Sequence, residues 1–315
     1  MTWYFCRTES KINILNALIN KNLELRADIL RAIRIFFAAH NYLEVETPIR
    51  IPAPAPEAHI DAIESEGRFL HTSPELCMKQ LLASGYPRIF QICRCFRQKE
   101  RGSRHIPEFT MLEWYRADSD YFDMMEETEA LIKHVALKSG SGNLINYQGG
   151  RIDLDKPWTR MTVAEAFDKY ASISVKKALS DDRFDEIMAG IEPVLGQSTP
   201  LFLYDYPASC GALAKLKTGN SSIAERFELY IGGLELCNGF TELTDPKEQR
   251  ARFEKELSFR KKAGKKEYPM PEKFLESLSC MPNASGNAMG LDRLVMLFAD
   301  TTTIDDVVAF TPEEL

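Results

Sequence analysis

Residues 96–109 concentrate side chains that suit the binding of an anion. Three guanidinium groups and one imidazole fall within nine positions: Arg97, Arg101, Arg104 and His105. Strand-like runs at residues 88–97 and 108–115 flank a loop with glycine and proline, so the sequence predicts a β-hairpin. The positive charges at the tip of this hairpin repel one another unless an anion binds between them. A phosphate is therefore the expected ligand. The alternative is a solvated, charged turn between ordinary strands.

The second predicted strand of this hairpin places several useful side chains on one face. Side chains alternate with period two along a strand, so Phe109, Met111, Glu113 and Tyr115 point the same way. An aromatic ring suits a nucleotide base, whereas a carboxylate and a phenol suit an amine. The hairpin therefore predicts a nucleotide at one end and an amine at the other.

Residues 227–242 set three acids and an amide among apolar residues. Carboxylates in such surroundings need a cation. Oxygen ligands without histidine or cysteine suit Mg²⁺, and Glu228 and Glu235 are the predicted ligands. The alternative is that both are exposed glutamates on an edge strand.

Residues 285–297 indicate a glycine-bearing strand that runs into an apolar helix. Arg293 falls in the first turn of that helix, where the helix dipole disfavours a cation unless an anion binds there. Asp292 is the alternative partner, since it could neutralise Arg293 locally. The segment is thus a second candidate for phosphate binding.

The elements that must position these groups can be predicted from spacing. Apolar residues at intervals of three and four predict a helix over residues 23–40, followed by a strand at 42–46. Residues 51–56 are too rich in proline for a helix or a central strand and predict an extended loop. A helix is expected from Ser73 to about Ser84, with Ser73 as its cap.

Farther along the chain, a helix is predicted over residues 120–139 and a strand over 201–206. Residues 226–240 predict two strands that turn at a pair of glycines. A cap followed by proline predicts a charged helix from Asp245 to about Ala263. The sequence assigns no chemistry to residues 143–197.

Composition narrows the class of protein. The chain has 315 residues, 44% of them hydrophobic, and a net charge of −7, which argues against a broad nucleic-acid-binding face. Its seven cysteines form no CxxC pair and no zinc spacing with histidine, so reduced thiols in the cytoplasm are expected. There is no run of eighteen apolar residues, and neither export nor membrane insertion is expected.

Taken in order, these segments resemble the signature motifs of class II aminoacyl-tRNA synthetases. The helix and strand ending at Pro48 resemble motif 1, residues 96–115 resemble motif 2, and residues 286–297 resemble motif 3. The resemblance is to the lysyl subgroup, and in particular to the paralogues that ligate β-lysine onto elongation factor P. The segments that carry it are residues 72–75, 107–116, 224–228 and 235–245.

This resemblance spans nearly the whole chain and implies a fold and an assembly. The expected fold is of the α+β class, with an antiparallel sheet of about six strands flanked by helices. A homodimer through motif 1 is also implied. Residues 1–315 are expected to form a single catalytic domain without the N-terminal anticodon-binding domain, so no stable tRNA binding is expected.

The resemblance also implies roles for particular residues. Arg97 and Arg293 would be the catalytic cations. The implied ATP-binding residues are Arg97, Glu100, His105, Phe109, Glu235 and Arg293. The implied substrate-binding residues are Ser73, Glu75, Glu113, Tyr115, Asn238, Glu242 and Ala288. Glu228 and Glu235 would hold Mg²⁺.

The implied activity is that of a ligase. ATP would activate (R)-β-lysine or lysine as an adenylate, and the amino acid would then pass to a lysine side chain of elongation factor P. Ala288 stands where lysyl synthetases usually have glycine, and its methyl group favours β-lysine over α-lysine.

Two departures from motif 2 keep other functions open. Lys99 replaces a usual glutamate, and Ile106 replaces a commonly polar residue. Glu100 could supply the missing carboxylate, although adjacent strand residues face opposite sides. The alternatives are a stand-alone lysine-activating enzyme with another acceptor, and a catalytically silent regulatory paralogue.

Overall fold

The computed structural model describes residues 9–211 and 213–315. Its helices in these ranges are α1 Glu9–Ala39, α2 Glu75–Ala83, α3 Tyr121–Lys138, α4 Val163–Tyr170, α5 Val175–Ser180, α6 Phe184–Ile191, α7 Pro246–Lys262, α8 Glu272–Ser277 and α9 Leu291–Ala299. Its strands are β1 Leu43–Glu44, β2 Arg50–Ile51, β3 Glu64–Ser65, β4 Arg68–Leu70, β5 Arg88–Phe96, β6 Glu108–Ala117, β7 Leu144–Tyr147, β8 Gly150–Asp153, β9 Thr159–Thr162, β10 Leu201–Pro207, β11 Leu216–Lys217, β12 Asn220–Ile231, β13 Leu234–Thr241 and β14 Ala284–Gly290. Among these described helices, none is long and apolar enough to cross a membrane.

The main sheet has nine strands in the described residues, with the order β1-β5-β6-β14-β13-β12-β10-β9 and β11 beside β12. Its centre is antiparallel, and parallel pairs occur at β1 with β5 and at β9 with β10. The predicted α+β class is confirmed, with a larger sheet than the six or so strands expected. Short strands at the edges account for the difference, because they carry too few residues to show a period.

The predicted hairpin is present as β5 and β6, paired without a break from Arg88↔Arg116 to Phe96↔Glu108. Period two decides which side chains enter the core. Leu112 and Trp114 are fully buried against α1, α3 and α9. The intervening odd-numbered residues point to the other face of the sheet, where the cavities described below lie.

The helices that frame this other face begin where the sequence predicted. Asp245 accepts hydrogen bonds from the first backbone amides of α7, with Pro246 at the first helical position. At α2 the predicted cap is displaced, since Pro74 occupies the cap position. The Ser73 hydroxyl still accepts from the amide of Glu75 at 3.0 Å. The proline-rich segment at residues 52–56 is a loop without helix or strand, as expected.

Candidate active site

Two adjoining cavities lie on the face of the sheet that carries the odd-numbered residues of β6. The first, of about 160 Å³, is lined by six of the predicted substrate residues: Ser73, Glu75, Glu113, Tyr115, Asn238 and Ala288. The second, of about 380 Å³, is lined by every predicted ATP residue: Arg97, Glu100, His105, Phe109, Glu235 and Arg293. Arg97 and Ala288 line both cavities. The other two predicted residues, Glu228 and Glu242, are buried and lie outside both linings.

Glu113 is the most enclosed acid of the first cavity, with no exposed surface. The hydroxyl of Ser73 donates to one of its oxygens at 2.6 Å, and the phenol of Tyr115 donates to the other at 2.8 Å. Burial, reinforced by the nearby Glu75 carboxylate, raises the pKa of Glu113 to about 8. The buried Glu113 carboxylate therefore has no cation as a hydrogen-bond partner and favours a bound ammonium group.

Glu242 lies behind this lining and is 1% exposed. Burial raises its pKa to about 8, although the Lys79 ammonium opposes that rise. It approaches Tyr115 over Gly286, where an added Cβ would lie only 2.5 Å from a Glu242 oxygen and would also clash with the Tyr115 ring. A glycine at this position of β14 is thus required for the two side chains to converge.

Lys79 is a member of the site that the sequence reasoning missed. Its ammonium is 1% exposed, and it pairs with Glu75 at 2.5 Å and also with Glu242. Burial alone would lower the pKa of Lys79, but the two carboxylates raise it above its ordinary value. Lys79 lies one helical turn after Glu75 on α2, so the spacing of four was the available signal.

Four arginines line the second cavity: Arg97, Arg104, Arg226 and Arg293. The Arg97 guanidinium lies 5.0 Å from the centre of the Phe109 ring and 3.7 Å from Glu100. Arg293 donates to the Glu235 carboxylate at 3.0 Å and to the imidazole Nε2 of His105 at 2.6 Å. Burial and the neighbouring Arg293 lower the pKa of His105, so its ring is neutral at pH 7 and accepts this bond.

Asp292 does not neutralise Arg293, which excludes the local alternative considered from sequence. Its carboxylate accepts from Arg26 at 2.6 Å and from the backbone amide of Thr110 at 2.7 Å. Asp292 thereby ties α9 to α1 and β6, and it leaves the Arg293 guanidinium facing the second cavity.

One guanidinium of the cationic loop has a different role from the one expected. Arg101 does not line either cavity, and it pairs instead with Asp305 at 2.9 Å and with Glu313 at 2.9 Å. The loop between β5 and β6 is thus held to the C-terminal segment, and its charge is partly balanced by protein carboxylates.

The structure also answers the question raised by Lys99. Strand β5 ends at Phe96, and Lys99 has a positive φ of 66°, so alternation no longer applies at this point. Lys99 is exposed, whereas Glu100 lines the second cavity. The turn therefore brings the neighbouring carboxylate to the cavity in place of the lysine.

The predicted metal ligands lie on β12 and β13. Glu228 accepts from Arg226 at 2.6 Å and from the hydroxyls of Tyr206 and Tyr230 at 2.5 and 2.7 Å. These bonds use three of about four acceptor positions on a carboxylate. Burial raises the pKa of Glu228, and the charge of Glu235 raises it further.

A third carboxylate, Glu192, completes this acidic region. Burial raises its pKa to about 7, with repulsion from Glu235 and Glu228 as the next causes. Glu192 acts on the two predicted ligands through its charge and is not grouped with them within ligand distance, and the carboxylates of Glu228 and Glu235 supply the oxygen donors that suit Mg²⁺. The residues present therefore fit the ion, with Glu235 as the member that faces the cavity.

Arg226 is a second residue that the sequence reasoning missed as part of the site. It lines both cavities, and its Nε donates to the side-chain oxygen of Asn238 at 3.0 Å. This bond orients the amide so that its nitrogen faces away from Arg226. The available sequence signal was that Arg226 is the one cation of β12.

A thiol cluster on the cavity side of the sheet, where Cys93 and Cys95 pair with Met111 and Phe109, was also not apparent from spacing. The ligand-type atoms of His71, Cys93 and Cys95 all lie within 4.8 Å of one another. A hydrogen bond from Cys95, aided by His71, lowers the pKa of the Cys93 thiol to about 6, against the effect of burial. His71 reaches the two cysteines only through the tertiary fold, so the sequence reasoning detected no such group.

Comparison with known proteins agrees with this arrangement. Residues 7–314 match the family described as tRNA synthetases class II (D, K and N). A Vibrio atlanticus protein named elongation factor P–(R)-β-lysine ligase is 41% identical over 92% of this chain and 95% of its own length. Proteins with the same name from Vibrio cholerae and Salmonella gallinarum are 40% and 39% identical, and each is covered over 94% of its length. The chain therefore belongs to the class II tRNA synthetases and, within them, to the family of these ligases.

Proposed function

We propose that this chain activates (R)-β-lysine with ATP as an aminoacyl adenylate and ligates it to a lysine side chain of elongation factor P. The observation that carries the proposal is the junction of the two cavities. An acid-lined cavity meets a cavity lined by arginine, histidine and phenylalanine, and Arg97 lies at the meeting point. This arrangement suits an amino acid whose carboxylate must reach the α-phosphate of ATP.

The charges around the first cavity favour a substrate with two ammonium groups. Glu75, Glu113 and Glu242 supply three carboxylates, and Lys79 neutralises one of them. Two negative charges remain within this group of four residues when all three acids are ionised, and the other charged residues of the lining, Glu57, Arg97 and Arg226, lie where the first cavity meets the second. Lysine and β-lysine each carry two ammonium groups, and burial of those groups requires such partners.

The first step joins the substrate carboxylate to the α-phosphorus and releases pyrophosphate. Arg97 and Arg293 would stabilise the charge that grows on the phosphate oxygens, and Phe109 would stack on the adenine. His105 would contact the polyphosphate beside Arg293. When bound, Mg²⁺ held by Glu235 and Glu228 would neutralise phosphate charge.

In the second step a lysine ε-amine of elongation factor P attacks the carbonyl carbon of the adenylate. An amide forms and AMP leaves. The relatives with this activity in their name support elongation factor P as the acceptor. The proposal includes no stable tRNA binding.

Ala288 would favour β-lysine over α-lysine. It lines both cavities, and on the sheet it is paired with Glu113 of β6 and with Asn238 of β13. Its methyl group therefore projects where the substrate backbone would pass between the two cavities. One methylene-sized change is worth about 1–3 kcal/mol of discrimination.

The proposal also includes a cytoplasmic homodimer. Helix α1 presents an apolar groove formed by Ala27, Leu30, Ile35 and Ala38, and the Ile35 side chain is 48% exposed. A groove of this kind on the motif 1 helix suits a second copy of the chain. Sedimentation of the purified protein tests this part separately.

ATP–pyrophosphate exchange tests the activation step. Exchange would be compared with (R)-β-lysine, α-lysine and no amino acid. Arg97→Ala removes the cation at the junction, and Lys99→Ala, at an exposed position outside both cavities, is the matched control. We expect exchange with a preference for β-lysine, its loss in Arg97→Ala and its retention in Lys99→Ala.

Mass spectrometry of elongation factor P tests the ligation step. Incubation with ATP and β-lysine is expected to add one β-lysyl group to a single lysine. Exchange without this mass change would favour the stand-alone activating enzyme. Absence of exchange with every amino acid would contradict the proposal and leave the regulatory paralogue.

A further inference from the structure

The proline-rich loop between β2 and β3 brings a carboxylate to the site that sequence reasoning did not predict. Glu57 lines both cavities. The buried Arg260 of α7 donates to the backbone oxygen of Glu57 at 2.8 Å, and Glu256 accepts from the amide of Ala58 at 2.8 Å. The peptide group that follows Glu57 is thus held at its oxygen and its amide by one helix, although the loop itself has no regular structure.

Residues that line both cavities mark the place where the two substrates meet. Six described residues do so: Glu57, Arg97, Met111, Arg226, Asn238 and Ala288. If the proposed function is correct, the carbonyl carbon of the adenylate lies at this place. Glu57 is the only member of this set that can accept a proton at neutral pH, because both arginines stay protonated.

The other acids near the junction already have partners. Both oxygens of Glu113 accept hydrogen bonds, Glu75 pairs with Lys79, and Glu100 and Glu235 face Arg97 and Arg293. The Glu57 carboxylate has no hydrogen-bond or ion-pair partner in the part of the chain that the structure describes. It is therefore available to a group that enters from outside.

The electrostatic surroundings suit proton transfer near neutral pH. Burial raises the pKa of Glu57 to about 7. Arg97 and Arg226 oppose this rise, whereas Glu75 and Glu256 add to it. A general base is most effective when its pKa is close to the working pH.

We propose that Glu57 is the general base of the transfer step. Its carboxylate takes the proton that the ε-ammonium of the acceptor lysine must lose before it can react. The neutral nitrogen then forms a bond to the adenylate carbonyl carbon, and the bond from that carbon to the phosphate oxygen breaks. AMP leaves with the electron pair, and the nitrogen gives up its second proton to water as the amide forms. The proposal rests on the proposed function, since it requires an adenylate and an amine acceptor.

Two acceptors distinguish a base from a residue that only shapes the site. The adenylate is formed first, and its decay is followed with elongation factor P or with hydroxylamine, which is already neutral at pH 7. In Glu57→Gln we expect the ratio of the two transfer rates, elongation factor P over hydroxylamine, to fall by about 100-fold or more, as for loss of a general base. Glu57→Asp should recover part of that loss.

A control variant changes the loop without removing the carboxylate. Glu256→Gln weakens the contact to Ala58 and should slow both acceptors to a similar extent, so the ratio stays within about threefold of the unchanged protein. The pH profile gives a second readout: transfer to elongation factor P should rise through pH 7 in the unchanged protein and lose that rise in Glu57→Gln.

A ratio in Glu57→Gln equal to that of the unchanged protein would overturn the proposal. If both transfer rates were slowed equally, Glu57 would have a structural role. Failure of the proposed function has a different result. In that case the unchanged protein would show no pyrophosphate exchange, and the assignment of a base would fail with it.

Discussion

The two cavities differ in how their charged side chains are buried and paired. In the first, Glu113 and Glu242 are 0% and 1% exposed and have pKa values raised to about 8. In the second, Arg97 and Arg293 have side chains that are 25% and 19% exposed and already face carboxylates. In the first cavity Glu113 has no cation as a partner until a substrate brings one, whereas in the second cavity Arg97 and Arg293 are held by acids that a phosphate must replace.

This difference assigns selection of the amino acid to the first cavity and reaction with ATP to the second. Burial of an ionised carboxylate without a nearby positive charge costs free energy. Only a ligand whose ammonium groups reach the carboxylate offsets that free energy. Arginines that are paired with carboxylates at a partly exposed wall can bind the phosphate groups of many compounds. We therefore expect changes in the first cavity to alter amino-acid selection and changes at the second to alter the use of ATP.

Removal of a buried acid from the first cavity should have the largest effect. Glu113→Gln leaves a substrate ammonium without its carboxylate, and breaking one partner of a buried pair costs about 3–5 kcal/mol. We expect kcat/KM for β-lysine in pyrophosphate exchange to fall by about 10²–10³, with little change in KM for ATP. Glu108→Gln, at an exposed position at the start of the same strand, is the control. A loss expressed mainly in KM for ATP would contradict the division between the cavities.

The pH dependence of amino-acid affinity should have the next largest effect. Glu113, whose pKa is raised to about 8, is protonated in the free protein below that pH, whereas the Glu242 carboxylate is paired with the Lys79 ammonium. An ammonium group needs the ionised carboxylate, so binding releases a proton, and affinity should rise with pH up to about 8. One released proton corresponds to about tenfold per pH unit. Titration calorimetry between pH 6 and 8 measures this slope, and a flat profile would show that the acids are ionised before the substrate binds.

Ala288 tests selection at the boundary of the cavities. Ala288→Gly removes one methyl group from the wall and should shift preference toward α-lysine by about tenfold or more, as expected for one methylene-sized change. Ala284→Gly, on the same strand but outside both linings, is the matched control. Competition between the two lysine isomers in the exchange assay measures the ratio. An equal loss for both isomers would mean that the methyl group supports the strand and does not select the substrate.

The loop contact of Arg101 should have the smallest effect. Arg101→Ala removes the pairs with Asp305 and Glu313, and exposed ion pairs of this kind contribute little. We expect KM for ATP to rise by about twofold to fivefold, with no change in KM for β-lysine. A measurement at high salt gives the control, because screening should reduce the difference between the two proteins. A change in KM for β-lysine alone would contradict the expectation that the Arg101 loop affects the use of ATP.

Much of this site could be predicted from sequence because its residues fall in short, regular segments. The odd-numbered residues of β6 face the cavities, since a strand alternates its side chains without exception over this length. Resemblance to known motifs supplied the expected roles of Arg97 and Arg293. Both were found where the motifs implied, at the wall of the second cavity.

Arg101, which was given another role, and Glu57, which was missed, share a different property, since their partners are distant along the chain. Arg101 meets Asp305 and Glu313 from more than 200 positions away. Glu57 reaches the junction because α7 holds its loop. No period or local spacing encodes such contacts, so the sequence could not place these side chains.

The sequence by itself determined the longer helices and strands, the face on which their side chains fall, and the motifs that place this chain in its family. These properties depend on local geometry and on apolar periodicity, which are written in neighbouring residues. The tertiary structure decided which charges meet. It placed Lys79 between two acids, Glu100 in the position left by Lys99, and Glu57 where the cavities join, because these arrangements depend on distances between segments that only packing brings together.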